Sequence, residues 1–335
     1  MSTPWAGPEP ESDAAAIAGL VKDVARRHDG RPEAAAEAIA GLGLELIGLP
    51  EPRGSGGEPG DLAAALTAIG RAALGVPVLP RAVAAWVLAT AGAPVDAPAT
   101  IAFGGRGVVA APWARASELL VLCPPSGPVC LVTLDQSAVR NEDDLAGDPL
   151  DRVDLTRHPR PEPLENAPQP DAVAARAAIL SAAQLTGLAD GALALTREYV
   201  SRRQQFGGPL RTLPAVARGL AEMRVRVTEA TAGLDAGLDA LSATAPDSIQ
   251  PGRAEPDIAA SAAIAFIAAA TAATAVARIA HQLHGAIGVT AEYPLHRWTT
   301  RLWSGRDWPR PQAAWTDALG RARDEEAAWQ LTAFG

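Results

Sequence analysis

Residues 199–209 read Tyr199-Val200-Ser201-Arg202-Arg203-Gln204-Gln205-Phe206-Gly207-Gly208-Pro209. They close a long Ala-rich run that starts near Asp171 and has the length and apolar content of a buried helix. Cations in the last turn of a helix complement its macrodipole, so the plain structural reading is a cap that stops the helix at Gly207. Yet two glutamines and a phenylalanine placed after the arginines are more than a cap needs. A second stretch has the same character: His281-Gln282-Leu283-His284-Gly285-Ala286-Ile287-Gly288-Val289-Thr290-Ala291-Glu292-Tyr293-Pro294. Its small residues let backbone N–H groups approach a bound group closely. His281 and His284, with Glu292 or His296, leave a metal site open as a reading, but closed sites usually pair ligands at tighter, repeated spacings. No metal is expected.

Working outward, Val216, Leu220, Met223, Val227, Leu234, Leu238 and Leu241 form one apolar stripe after the first stretch. Leu213-Pro214 marks that helix's start. A break at Pro246 to Pro256 precedes a helix over about 257–285, and a last helix is expected over 312–331. Four such helices make an antiparallel bundle. Upstream, Thr100–Phe103, Gly107–Ala111, Leu119–Cys123 and Val129–Leu134 are short apolar runs separated by Gly, Pro and acidic residues, the pattern of β-strands, with a Pro-rich linker from His158 to Pro170. Residues 12–92 return to helical spacing, broken by the loop from Leu49 to Gly60, after which Asp61 is expected to be an N-cap. The fold class is α+β, mostly α: a helical region 1–93, a small middle β region and linker 94–170, and a helical bundle 171–335.

The 335 residues carry a formal net charge of −9, and Lys22 is the only lysine among 29 basic residues. Such a bias toward arginine reflects codon usage, so an arginine needs motif context to count. An acidic chain without a Lys/Arg run is not suited to nucleic acid or an anionic membrane surface. The start, Met1-Ser2-Thr3-Pro4-Trp5, is not a signal peptide, and Ile258 to Val276 reads as a buried Ala-rich helix, not a membrane span. Cys123 and Cys130 could face each other across a hairpin, but reduced thiols are expected without secretion signals. A cytoplasmic protein is expected. Trp298, Trp303, Trp308, Trp315 and Trp329 gather near the C-terminus, as core or interface aromatics do.

The two stretches together resemble the acyl-CoA dehydrogenase family. Tyr199, Arg203, Phe206 and Gly207 match its Tyr-x3-Arg-x-x-Phe-Gly motif. Gln282, Gly285, Gly288, Glu292, Tyr293 and Pro294 match its Gln-x-x-Gly-Gly-x-Gly followed by Glu-Tyr-Pro, with Ala286 replacing the middle glycine. The loop from Leu49-Pro50-Glu51 to Gly60-Asp61-Leu62 also looks like a family segment. The resemblance implies an N-terminal helical domain, a middle β domain, a C-terminal four-helix bundle and bound FAD. By the same resemblance Arg203, Gln205, Phe206, Gln282, Gly285 and Ala286 contact the FAD of a neighbouring subunit, Arg203 by pairing with a pyrophosphate oxygen.

The family also needs a base that removes an α proton from an acyl thioester while hydride passes to the flavin. The family's position for that glutamate, counted from Glu292, falls on Pro309, and the alternative position on the first bundle helix falls on Ala177. Asp307 is the nearby carboxylate; it reads either as a displaced base or, the favoured reading, as a solvated turn residue before Pro309. The family's flavin-ring segment of Thr-Glu-Pro-x-Ala-Gly-Ser-Asp type is also missing near Pro98 to Pro112. Such selective loss resembles the non-base subunit of hetero-oligomeric acyl-CoA dehydrogenases of fatty acid or steroid catabolism. The implied oxidoreductase is a flavoprotein active only with a homologous partner chain, in a heterotetramer. It would desaturate a bulky acyl-CoA and pass electrons to an electron-transfer flavoprotein. The alternatives are a self-sufficient flavoenzyme, oxidase or monooxygenase, acting through Asp307, and a non-catalytic helical scaffold.

Overall fold

A computed structural model describes residues 13–28, 31–158, 160–243 and 258–324. Four helices come first, α1 (Asp13–Arg27), α2 (Pro32–Ala40), α3 (Pro59–Arg71) and α4 (Val78–Thr90). Helix α3 starts three residues before the sequence expectation. Pro59 occupies the first turn, where its missing N–H costs nothing, and Glu58 is the N-cap. Asp61 is therefore the third helical residue, and its carboxylate accepts the Glu58 backbone N–H at 2.8 Å.

Seven short strands follow: β1 (Ala99–Phe103), β2 (Val108–Pro112), β3 (Leu119–Cys123), β4 (Cys130–Thr133), β5 (Val139–Arg140), β6 (Leu150–Asp154) and β7 (Glu162–Pro163). They form two sheets, in the orders β1-β3-β4-β7 and β2-β6-β5. Strands β1 and β3 are parallel and the remaining pairs antiparallel. Ala102, Leu120 and Leu122 point into a small core shared with Val109, Val132 and Val153 of both sheets. Ile101, Val121 and Cys123 point the other way, into the main helical core. Burial on both faces explains why these strands read as unbroken apolar runs. Cys130 lies opposite Leu122, not Cys123, so the two thiols belong to opposite faces and both are free.

The rest is α5 (Pro170–Arg202), a two-stranded hairpin of β8 (Gln204–Gln205) and β9 (Gly208–Pro209), then α6 (Pro214–Ala243), α7 (Ile258–His284), α8 (His296–Gly305) and α9 (Gln312–Asp324). The expected break at Pro246 to Pro256, the tail of the last helix and Trp329 lie outside the described residues. The core of the bundle is alanine laid against alanine: Ala177, Ala178 and Ala182 of α5 and Ala262, Ala269 and Ala273 of α7 are all fully buried, with Phe266 the largest side chain among them. Helices lined this way pack with backbones close together. Helix α3 lies close on α5, where a Cβ at Gly187 would strike the Thr67 carbonyl and one at Gly70 the Gln184 carbonyl. Here glycine is required by contact, not by φ. By length and hydropathy alone α5 and the helical segment from Ile258 to Val289 could each cross a membrane; 78% and 50% of their apolar windows are buried inside the protein. Of the C-terminal tryptophans, Trp315 is buried, while Trp298, Trp303 and Trp308 are half-buried against the main core.

Candidate functional site

Helix α5 ends at Arg202, earlier than the expected stop at Gly207. Arg203 leaves the helical region (φ −71°, ψ 122°) while its N–H still bonds the Tyr199 carbonyl. The chain then turns back on itself, with Gln204 paired to Pro209 and Gln205 to Gly208. The two residues at the tip, Phe206 and Gly207, have φ of +52° and +86°. Positive φ at both central positions is the I′ geometry that suits a two-residue hairpin. Glycine tolerates it freely, whereas a phenylalanine there is strained by of order 1 kcal/mol or more. The strain holds a large apolar ring outward: Phe206 is 85% exposed.

The second stretch comes to the same end of the bundle. Helix α7 stops at His284, Gly285 takes φ +64°, and Gly285–Val289 coils as a tight 3₁₀ turn. The Tyr199 ring stacks on His284 at 4.5 Å between centroids, and Tyr293 meets both rings, 5.5 Å from Tyr199 and 4.9 Å from His284. The Tyr199 hydroxyl also reaches the His284 carbonyl at 3.4 Å. Thus the two stretches, some eighty residues apart in the chain, are joined through three rings. Arg203, Gln205, Phe206, Gln282, Gly285 and Ala286 are all exposed around this junction, and a Cβ at Gly285 would meet only open space. The Arg203 guanidinium makes no ion pair among the described residues. Its neighbour Arg202 is tied to Glu198 at 2.7 Å. Two apolar side chains add to the face, Val289 at 75% and Ile287 at 39% exposure.

The histidines are not gathered for a metal. His281 Nε2 meets the Thr299 hydroxyl at 3.0 Å and its ring stacks on Trp303; His284 Nδ1 faces the Ala280 carbonyl; His296 Nδ1 faces the Tyr293 carbonyl. No group of three or more His, Cys, Asp or Glu able to hold a metal occurs among the described residues. Burial pulls both His281 and His284 below the ordinary imidazole range, keeping them neutral, and pushes the Tyr293 phenol up.

Asp307 lies elsewhere, at a cleft of about 540 Å³ between α4, the β region, α5 and α8. Trp113, Trp303 and Trp308 give it aromatic walls, and Ser181, Gln184 and Leu188 of α5 a floor. At 1.5 Å per residue, Leu185 in this cleft is about 27 Å along α5 from Arg203. The Asp307 side chain is 60% exposed, with Arg306 at 3.7 Å. Sequence reading overlooked the charged pair that does sit in the cleft. Arg301 Nε and Nη2 hold both oxygens of Asp148 at 2.8 and 2.7 Å. Burial pushes the Asp148 carboxyl up, and Arg301 offsets part of that rise. No local spacing could have revealed two residues contributed by a β-region loop and by α8.

A family model described as acyl-CoA dehydrogenase, C-terminal domain, matches residues 173–306. The acyl-CoA dehydrogenase IpdE2 of Mycobacterium tuberculosis is 30% identical over 272 residues, covering 78% of this chain and 77% of that protein. FadE28 of the same organism, also an acyl-CoA dehydrogenase, is 30% identical over 133 residues, covering 35% of this chain and 31% of that one. Among solved structures, the Tcur3481-Tcur3483 steroid ACAD G363A variant superposes with a TM-score of 0.80 at 24% identity, covering 94% of this chain and 99% of that one. The ChsE4-ChsE5 complex of Mycobacterium tuberculosis superposes at 0.75 and 20% identity, covering 95% and 98%.

Proposed function

For a chain that belongs to the acyl-CoA dehydrogenase family, with an outward-facing clamp and no carboxylate at either family base position, we propose the role of a subunit that completes the FAD site of a homologous partner. The family supports an oxidoreductase. The finer reading is α,β-desaturation of a bulky acyl-CoA by the two chains together, with electrons leaving to an electron-transfer flavoprotein.

The observation that carries this reading is the direction in which the clamp faces. Arg203, Gln205, Phe206 and Gln282 are exposed at the end of the bundle, about 27 Å along α5 from the chain's own cleft. A phenylalanine held in a strained turn and 85% exposed is a poor element for a lone monomer and a good one for a ring to pack on. The residues also fit the cofactor chemically. The C-terminal ends of α5 and α7 converge here, so the local dipole field is negative and repels phosphate. Arg203, free of any carboxylate among the described residues, supplies the opposing charge and a planar fork for two phosphate oxygens. Gln205 and Gln282 offer side-chain amides, and Gly285 leaves open space for close approach. When bound, FAD supplies hydride acceptance; this chain's residues bind and orient its diphosphate end.

The reading of Asp307 as a base fits less well. A general base works within hydrogen-bond reach of its proton and with a tuned affinity, whereas Asp307 is mostly solvated beside Arg306. The deciding experiment compares the purified chain alone with the chain co-expressed with a longer homologous partner carrying an intact glutamate. The subunit reading expects FAD at stoichiometry and acyl-CoA oxidation only for the pair. Tight FAD and turnover by the single chain would sink it.

A further inference from the structure

Residues 203–209 and 285–289 follow the ends of different helices, α5 and α7, yet a shared clamp needs them at a fixed separation. One residue touches the support of both. We propose that His284 is a positioning residue: its neutral ring, seated against Tyr199 and Tyr293, locks the two segments into one arrangement, and a proton on that ring releases them. Its bearing on FAD rests on the clamp reading above; the lock itself does not.

The seat is tight. Tyr199 covers one face of the imidazole with planes 21° apart, and Tyr293 covers a second side at 51°. Below, a Cβ on Gly288 would lie 2.7 Å from the His284 Cβ, so Gly288 must remain glycine for the histidine to sit there. Leaving the seat, the chain turns at Gly285 directly into the 285–289 segment, and Tyr199 is four residues before Arg203 on α5. A ring shift at 284 therefore moves both segments relative to each other.

The protonation state follows from the partners. Nδ1 is 2.8 Å from the Ala280 carbonyl, an acceptor only, so Nδ1 carries the hydrogen. Nε2 is then a bare acceptor, buried in a residue 4% exposed, with no partner among the described residues. A proton on Nε2 would create an unsatisfied donor and a desolvated cation, a cost that the attraction of the Tyr199 ring face for a cation offsets only in part. The charged and titratable groups offer no counter-ion: His281, one turn earlier on α7, opposes a second positive charge, the Tyr199 and Tyr293 phenols are neutral, and Glu198, which acts on Tyr293, is already paired with Arg202 on α5. Burial accordingly pulls His284 below its ordinary range, partly countered by the Ala280 carbonyl.

The test uses the co-expressed pair, titrated with FAD by flavin fluorescence between about pH 5 and about pH 8. For the wild type, affinity falls by up to about tenfold per pH unit once the histidine protonates. His284→Phe keeps a ring without a titrating nitrogen, so whatever its absolute affinity, the ratio of its affinities at about pH 8 and about pH 5 shows no such acid loss. His284→Ala binds weakly at every pH. An acid loss that persists in His284→Phe, or full affinity in His284→Ala, overturns the proposal. Arg203→Ala run beside them separates the two ideas: if it binds FAD normally, the clamp reading fails. The lock is then judged on the single chain by long-range ¹⁵N NMR and by melting. An Nδ1–H tautomer and acid-sensitive melting that His284→Phe removes support it. An Nε2–H tautomer, or equal melting profiles, overturns it.

Discussion

Asp148 and Arg301, 153 positions apart, meet in a two-pronged ion pair over Gly75, where a Cβ would collide with the Asp148 carboxylate. The contact ties the β region to α8 and to the turn between α3 and α4. Either partner alone would be a poorly solvated charge. Removing Arg301 leaves a carboxylate that is only 24% exposed without its cation, a loss of about 3 kcal/mol at neutral pH. Asp148→Asn is no milder, about 3 kcal/mol, because it leaves the 16% exposed Arg301 guanidinium without its anion and turns an amide N–H toward one of the arginine donors. Burial already raises the Asp148 pKa, and losing Arg301 raises it further. The lone acid thus protonates as pH falls, and the stability gap between Arg301→Met and wild type narrows toward about pH 5. Urea denaturation at the two pH values measures this.

Arg203→Lys is expected to behave as a loss, because a point charge cannot reproduce a planar fork on two oxygens. A charge-assisted bond worth about 1.5–3 kcal/mol corresponds to FAD binding roughly ten- to a hundredfold weaker in the two-chain complex, with the melting temperature of the single chain unchanged. Equilibrium titration of the complex with FAD gives the number.

Phe206→Ser separates fold from function. At 85% exposure the ring contributes little to the single chain, so stability stays within about 0.5 kcal/mol of wild type. Association with the partner, measured by analytical ultracentrifugation with FAD present, should weaken. An unchanged association would show that the ring packs on nothing.

Asp307→Asn is expected to leave the activity of the pair within about twofold, since the side chain is 60% exposed and, among the described residues, is paired with Arg306 at a loose 3.7 Å. Steady-state kinetics of the pair decide this, and a loss of several hundredfold would restore Asp307 as the base.

The thiols should differ in reactivity. Burial pushes Cys123 up to about 12, so almost none is thiolate at neutral pH, whereas Cys130 is half-buried at the sheet margin. Iodoacetamide labelling of the native chain followed by mass spectrometry should find Cys130 modified first and Cys123 only after unfolding.

Much of this was legible in the chain itself. Helical spacing located α5, α6 and α7, because each is long enough for a 3.6-residue period to repeat several times. Strands β1 to β4 were found as apolar runs, but β6 was not: Leu150-Asp151-Arg152-Val153-Asp154 is rich in charge, and its burial of Asp151 depends on Arg115, which donates from Nε at 2.7 Å. The α3 start was misplaced by reading Asp61 alone and overlooking Pro59, whose ring fixes the first turn.

For the site, sequence alone determined chemistry that is local: which residue types the two stretches carry, and that Pro309 stands where a base is counted. These depend on neighbours within a few positions, and the chain order states them outright. Tertiary structure decided what depends on distance through space. It turned Arg203, Phe206 and Gln282 outward, seated His284 between Tyr199 and Tyr293, and filled the cleft with Asp148 and Arg301. Those contacts form only when helix ends and loops far apart in the chain are brought together by burial of the common core, and no local period or spacing records that event.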